Sequence, residues 1–359
     1  MQYYAFAILW PLFLKFCVSP NKHRKMYVIL AFIPFLLFSG LRGIRVGTDT
    51  YQFTMAFNAI AKADLNQFYL FRYEPLFLCL NKILSFFSND PHILIVASSL
   101  LIIIPFIYGI IKFSDDVFMS SFLYGTSLAF FLNLNLMRQG IASSFLVLGT
   151  NFLLNGKWKK FILFSLIGSL FHYACFFVAL ICILVYKLKK ITFSKILIFF
   201  GVTIIAGLSI EYLVEYFFPM YLGYLDSHSY KRFLVHFFLL LVPMLFFISR
   251  SLFKENKKKK FYGGIFFAEL IFLFLSMFNA YFSRIVWYLQ IFFIFSIPNI
   301  FCDWSRENKK TWMVFICLCF VIYLIVGSVL MFSEYSLLPY EFMWNESVKL
   351  ESMWVEKML

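Results

Sequence analysis

Residues 92–111 read HILIVASSLLIIIPFIYGII, an apolar run with no Asp, Glu, Lys or Arg. At about 1.5 Å per residue such a run makes about 30 Å of helix, the thickness of the hydrocarbon core of a bilayer. Comparable runs recur along the 359-residue chain, at 2–18, 26–40, 117–134, 137–154, 194–218, 232–250, 261–279, 284–302 and 311–332. The chain is 62% hydrophobic and 22% aromatic with only 14% charge, and its mean hydropathy is +0.83. No soluble globular domain has this composition, and continuous runs are unlike the short alternating strands of a β-barrel. The fold class is therefore all-α, a polytopic membrane protein with about 10 full transmembrane helices in a single domain, 1–359. The first run, Tyr3–Val18, lacks both a preceding positive residue and a small-residue cleavage site, so it reads as a retained helix.

The formal net charge of +14 excludes less than it suggests. Lys and Arg concentrate in short loops, at 22–25, 155–160, 187–195, 250–260 and 305–310 with Lys112, the pattern of cytoplasmic loops in a membrane protein. Nucleic acid is not an expected partner, and both termini are expected on the extracytoplasmic side. The seven cysteines (17, 79, 175, 182, 302, 317 and 319) lie in or beside apolar runs without metal-site spacing and read as reduced packing residues.

Residues 161–186 form one apolar run flanked at both ends by lysines (Lys157, Lys159, Lys160; Lys187, Lys189, Lys190). A single crossing would put one basic loop outside, so a broken or re-entrant hairpin with His172 near its tip is expected; one tilted span is the alternative. Residues 41–91 form a long extracytoplasmic loop, in which 75–87 reads as an interfacial helix starting at Pro75. Residues 333–359 read as an acidic, solvated extracytoplasmic tail.

On this topology four polar groups share the outer side. They are Arg42, Arg45 and Asp49 with Arg72, Tyr73 and Glu74; Asn133, Asn135, Arg138 and Gln139; His172; and Asn279, Tyr281 and Arg284. A charge at the centre of a membrane helix costs roughly 2.5–3.5 kcal/mol, less near its ends, so charges beside spans call for a reason. The plain reasons are interface anchoring for Arg138 and Arg284, loop solvation for Arg42 and Arg45, packing for His172, and a surface pair of Glu74 with Arg72. The functional reason is that arginine presents a planar, permanently charged donor fork that matches phosphate oxygens. No phosphate loop, dinucleotide fingerprint, zinc motif or nucleophile elbow is present, so any reaction draws its energy from the substrate and no cofactor or metal is expected.

At these residues the chain resembles the EpsG family, which belongs with the Wzy-type polysaccharide polymerases. The resemblance is carried by Arg45-Val-Gly-Thr-Asp49-Thr-Tyr51, Tyr73-Glu74-Pro75, Asn135-Leu-Met-Arg138-Gln139-Gly-Ile-Ala, the Lys160 to His172 stretch and Tyr281 to Arg284, and it covers roughly residues 40–285. It implies a glycosyltransferase of the bacterial cytoplasmic membrane that polymerises undecaprenyl-diphosphate-linked oligosaccharides for exopolysaccharide, capsule or O-antigen. It further implies membrane lipid as surroundings and a flippase and chain-length regulator of the same pathway as partners. Under that reading Arg42, Arg45, Arg138 and Arg284 bind the diphosphate, and His172, Asp49 or Glu74 is the base. Tyr51, Tyr73, Asn135, Gln139 and Tyr281 hold sugar or acceptor. An Asp flanked by arginines is expected to have a depressed pKa, which weakens Asp49 as a base. The competing classes are a transporter or flippase of the same lipid-linked unit, a membrane acyltransferase, and a scaffold. The absence of two related halves speaks against the flippase.

Overall fold

The computed structural model describes residues 2–187, 256–276, 281–300 and 306–345. Apart from an isolated backbone bridge between Arg42 and Phe342, the described regular structure is helical. The helices are α1 (Gln2–Cys17), α2 (Arg24–Gly40), α3 (Thr48–Lys62), α4 (Pro75–Ser85), α5 (His92–Phe113), α6 (Val117–Thr126) and α7 (Ala129–Asn135). They continue with α8 (Met137–Leu154), α9 (Trp158–Phe171), α10 (Ala174–Lys187), α11 (Lys257–Leu275), α12 (Tyr281–Gln290), α13 (Phe293–Ile300) and α14 (Arg306–Glu334). The described part of the chain is thus all-helical and apolar, as in a polytopic membrane protein. Among the described residues only α5 is by itself long and apolar enough to cross a membrane; the bent pair α6–α7 makes a second if counted as one span. The expected spans 194–218 and 232–250 lie outside the described residues.

The expected spans break in two places, and in both the backbone finds other partners. The run 117–134 bends by 49° between α6 and α7, where Leu128 takes φ +64°. The Ser127 carbonyl there accepts a hydrogen bond from Gln290 Nε2 at 3.1 Å, in place of the next turn of its own helix. The run 284–302 divides into α12 and α13 where the backbone tightens to three-residue bonds, Phe292 N to Leu289 O at 3.0 Å and Ile294 N to Ile291 O at 3.2 Å.

Residues 158–187 form a hairpin. Cys175 Sγ lies 3.7 Å from Ala142 O and Cys182 Sγ 3.9 Å from Thr150 Oγ1, so α10 runs parallel to α8. A Cβ on Gly149 would sit 3.0 Å from Phe164 Cβ, and one on Gly168 would sit 2.9 Å from Ala142 O, so α9 runs antiparallel to α8. The chain therefore reverses at His172–Tyr173. Each arm is 14 residues, about 21 Å of helix, which is shorter than a bilayer core.

The 41–91 segment packs as a unit on this bundle. Lys82 Nζ caps α3 by donating to the carbonyls of Ala61 (2.9 Å) and Ala63 (2.8 Å), which explains a charge in the otherwise apolar α4. α4 buries Phe77, Leu78 and Asn81, while Ile83 and then Phe86 and Phe87 beyond its end are exposed, as is Leu65, Tyr69 and Leu70 of the preceding turn. This exposed apolar rim suits an interfacial position.

The segment after α14 is not a free tail as far as it is described. Gly43 N donates to Glu341 O (2.8 Å), Met343 N to Leu41 O (3.0 Å), Gly47 N to Ser336 O (3.1 Å) and Thr48 N to Tyr335 O (3.0 Å). Tyr4 Oη donates to Leu337 O at 3.0 Å, so the start of α1, the 41–48 loop and residues 335–343 lie at one end of the bundle. The expected solvated end is thus corrected at Glu341, one of whose carboxylate oxygens is buried. Acidic character did not prevent docking, because the backbone and the side chains of Leu337, Tyr340 and Phe342, not the carboxylates, make the contacts. The rest of that acidic stretch, from 346 on, lies outside the described residues.

Gly47 is the hinge of this junction. Its φ of +99° belongs to a region that side-chain-bearing residues avoid, and a Cβ there would lie 2.8 Å from Thr50 Oγ1. Gly47→Ala is expected to destabilise the protein by about 1–3 kcal/mol, seen as a lower Tm in detergent. An unchanged melting curve would show that the junction tolerates a side chain.

Candidate active site

Gly47 begins α3 but has no side chain with which to cap it. The cap comes from across the bundle: Asn135 Oδ1 accepts from Asp49 N (2.9 Å) and from Thr48 Oγ1 (3.2 Å). Thr50 Oγ1 donates to Leu134 O at 3.1 Å beside it. The α7–α8 turn, 133–138, is thereby keyed to the start of α3, and Asp49 is fixed next to it.

Arg138 opens α8 and forms an ion pair through Nη1 with Glu74 Oε2. Its guanidinium carbon lies 4.9 Å from the ring centre of Tyr73, 5.4 Å from Phe53 and 5.8 Å from Phe77. Three aromatic faces and a carboxylate thus hold one cation. Glu74 is buried, and its other oxygen accepts from the backbone N–H of Tyr173 at 3.4 Å, at the tip of the α9–α10 hairpin. The expected surface pair of Glu74 with Arg72 does not form; Arg72 is exposed. Pairing with Arg138 removes two charges from water together, whereas pairing with Arg72 would leave Arg138 uncompensated.

His172 is buried at that tip, and its Nδ1 lies 3.0 Å from Tyr288 Oη. Tyr288 stands one turn beyond Arg284 on α12, and the Arg284 carbonyl accepts from Gln139 Nε2 at 2.9 Å. Arg138 and Arg284 both act electrostatically on Asp49 and on His172. Asp49, Glu74, Arg138, Gln139, His172 and Arg284, contributed by five elements, therefore gather at one end of the bundle with Tyr73 and Asn135.

The electrostatics of Asp49 run opposite to the expectation. Burial raises its pKa above the ordinary carboxylate value, and the lowering by Arg284 and Arg138 does not offset it. The carboxylate lies outside the apolar spans, half-buried, and is easier to protonate than an Asp in water.

The remaining predicted residues are placed differently. Arg42 is 1% exposed; its guanidinium donates to Leu134 O (2.8 Å) and to Ser39 O, so it closes the end of α2 instead of joining the cluster. Arg45 lies on the exposed side of the loop, and Tyr51 is half-buried against the core. Tyr281 begins α12, but its side chain, like Asn279, lies outside the described residues. Sequence reasoning missed Tyr288 and the Phe53–Phe77 face under Arg138. Tyr288 was findable: it follows Arg284 by four residues, hence on the same helix face.

A bundle of apolar helices with arginines, carboxylates and a histidine gathered at one end has the make-up of a polytopic membrane protein with a polar site at that end. The chain belongs to the EpsG family, Wzy-like polysaccharide polymerases, whose family model matches residues 25–342. No curated protein and no solved structure matches it.

Glu74→Ala would leave the Arg138 guanidinium without its counter-charge, at a cost of about 3 kcal/mol for a largely buried pair. The double variant Glu74→Ala/Arg138→Ala is expected to recover part of that loss in a double-mutant cycle of unfolding. Strict additivity would mean that the pair does not couple in the folded protein.

Proposed function

We propose that the chain polymerises lipid-linked oligosaccharide repeat units on the outer side of the cytoplasmic membrane, in exopolysaccharide, capsule or O-antigen synthesis. The observation that carries this reading is the gathering of Arg138 and Arg284 around Asp49 and His172 in an EpsG-family chain. The donor is a glycan on undecaprenyl diphosphate, and the acceptor is a sugar hydroxyl of a second lipid-linked unit. The bond between the anomeric carbon and the diphosphate oxygen breaks, and its electron pair leaves with the undecaprenyl diphosphate. The acceptor oxygen bonds to the anomeric carbon and gives its proton to a carboxylate. Arg138 and Arg284 oppose the charge that develops on the leaving diphosphate, a contribution of the kind worth about 10²–10³-fold per donor. Arg45, on the exposed loop, extends the anion-binding face, and Arg42 is left out of it. Tyr73, Tyr51, Tyr281, Asn135 and Gln139 remain the residues assigned to sugar and acceptor. The flippase and chain-length regulator of the pathway remain its proposed partners.

The hydrogen bonds support one division of the acid–base roles. Tyr288 Oη has His172 as its partner among the described residues, so it donates its proton to Nδ1; the opposite arrangement would strand a buried hydroxyl hydrogen. The neutral ring then carries its proton on Nε2, which makes His172 a donor toward phosphate oxygens. Glu74 is committed to Arg138 and to Tyr173 N–H and acts as a positioning residue. Asp49 is left as the base, and its raised pKa suits that task.

The test is polymer formation by the purified protein on a lipid-linked repeat unit. Arg138→Ala and Arg284→Ala are each expected to lower kcat about 10²–10³-fold, with Lys retaining more activity. Full-length polymer from both Ala variants at normal protein levels would refute the anion clamp. The base assignment is read from pH: Asp49 must be ionised, so activity rises with pH through an acid limb lying above that of an Asp in water. Asp49→Asn should remove activity and Asp49→Glu should keep a shifted limb; an unchanged profile in Asp49→Asn would exclude it.

A further inference from the structure

The start of α3 presents three successive N–H groups that its own turns cannot satisfy, and each is held from elsewhere in the chain. Asp49 N donates to Asn135 Oδ1 at 2.9 Å, Thr48 N to the Tyr335 carbonyl at 3.0 Å and Gly47 N to the Ser336 carbonyl at 3.1 Å. Two of the three acceptors thus come from the strap that follows α14, residues 335–343. Successive carbonyls of an extended strand point to opposite sides. Those of Tyr335 and Ser336 reach the same loop because Ser336 takes φ +49°, the left-handed region, where successive carbonyls align as they do in a helix.

The ring of Tyr335 makes the strap's other connection. It meets Trp287 of α12 edge to face, with ring centres 6.2 Å apart and planes at 82°. Trp287 is buried and follows Arg284 by three residues, so the two share one side of α12; Tyr288, the partner of His172, comes next. Tyr335 therefore joins, within one residue, the backbone that carries Asp49 and the helix that carries Arg284. Further along, the Leu337 carbonyl accepts from Tyr4 Oη and Tyr340 Oη donates to Phe38 O, each at 3.0 Å, which anchors the strap to α1 and α2.

The α7–α8 turn links the same two groups separately, since Asn135 holds the Asp49 N–H and Gln139 Nε2 donates to the Arg284 carbonyl at 2.9 Å. One such tie leaves a pivot, whereas two at different points fix both separation and angle. On the proposed reading Asp49 takes the acceptor proton while Arg284 opposes the charge on the leaving diphosphate, the two ends of one displacement. A misplacement of about 1 Å in such an arrangement can cost about 10²-fold in rate.

We infer that Tyr335, with the left-handed turn at Ser336, is a positioning residue of the active site that sets Asp49 against Arg284 through the Thr48 N–H and Trp287. Its effect on rate rests on the polymerase reading; the tie itself is measurable without turnover.

The full-length protein in detergent is to be assayed on a lipid-linked repeat unit. Tyr335→Ala should lower kcat about 10–10²-fold with little change in KM, because Arg138, held by Glu74, still binds the anion. Tyr335→Phe keeps the ring and the carbonyl and should restore most of kcat. Ser336→Gly should match the wild type, whereas Ser336→Val, which resists a left-handed turn, should behave like Tyr335→Ala and stands in for it if that variant does not fold. Without turnover, the Tm losses of Tyr335→Ala and Trp287→Leu should be less than additive in the double variant. Wild-type kcat in Tyr335→Ala or Ser336→Val would overturn the inference. So would equal losses in Tyr335→Ala and Tyr335→Phe, which would give the hydroxyl a direct role, or strictly additive Tm losses. A wild-type protein that makes no polymer counts against the polymerase reading alone, and the melting cycle then decides on the tie.

Discussion

The ion pair between Arg138 and Glu74 is the contact on which the site end of the molecule depends. Arg138 begins α8, Glu74 precedes α4, and the second oxygen of Glu74 reaches the N–H of Tyr173 at the hairpin tip. One carboxylate therefore sets three elements in register: the 41–91 segment, the α7–α8 turn and the α9–α10 hairpin. The aromatic rings beneath Arg138 belong to α3, to α4 and to the residue before Glu74, so the packing of the segment and the position of its cation are fixed together. His172 follows, because its ring stands beside the N–H that Glu74 holds.

Much of this arrangement is legible in the sequence, and the rest is not for identifiable reasons. Apolar runs flanked by lysines locate the helices, and the double lysine flank of 161–186 locates a reversal that the contacts of Cys175 and Cys182 bear out. A hydropathy window does not register either break: the one at Ser127–Leu128 follows Gly125-Thr126-Ser127, a dip too short to end an apolar run, and the one at Ile291–Phe292 lies in a stretch as apolar as its neighbours. The first break is stabilised by Gln290, more than 160 residues away, and a composition window has no access to such a partner. In the site, Asp49, Glu74, Arg138, His172 and Arg284 were identifiable as charged or polar residues beside spans. Their pairings were not: Glu74 prefers a distant Arg138 over the neighbouring Arg72, and Arg42 turns inward onto carbonyls.

Asp49 shows how burial can reverse an argument from charge alone. Two arginines in the same cluster lower its pKa, but a half-buried carboxylate that has lost water is pushed the other way more strongly. On the proposed mechanism the site binds an anion and also accepts a proton, which is a conflict, since the cations that bind the first oppose the second. Partial burial of the carboxylate, while one arginine is shared with Glu74, resolves it. Under that proposal Glu74 matters to the acid–base design as much as Asp49, because it neutralises Arg138 before an anionic substrate binds.

The breaks and the polar ties between elements have a common cause. A helix in an apolar medium gives up a backbone hydrogen bond only where another group replaces it. Gln290 replaces one at Ser127, Asn135 replaces the missing cap of α3, and the Arg42 guanidinium replaces two at the ends of α2 and α7. Each replacement joins two elements far apart in sequence, so the bundle is held at discrete polar points as well as by packing.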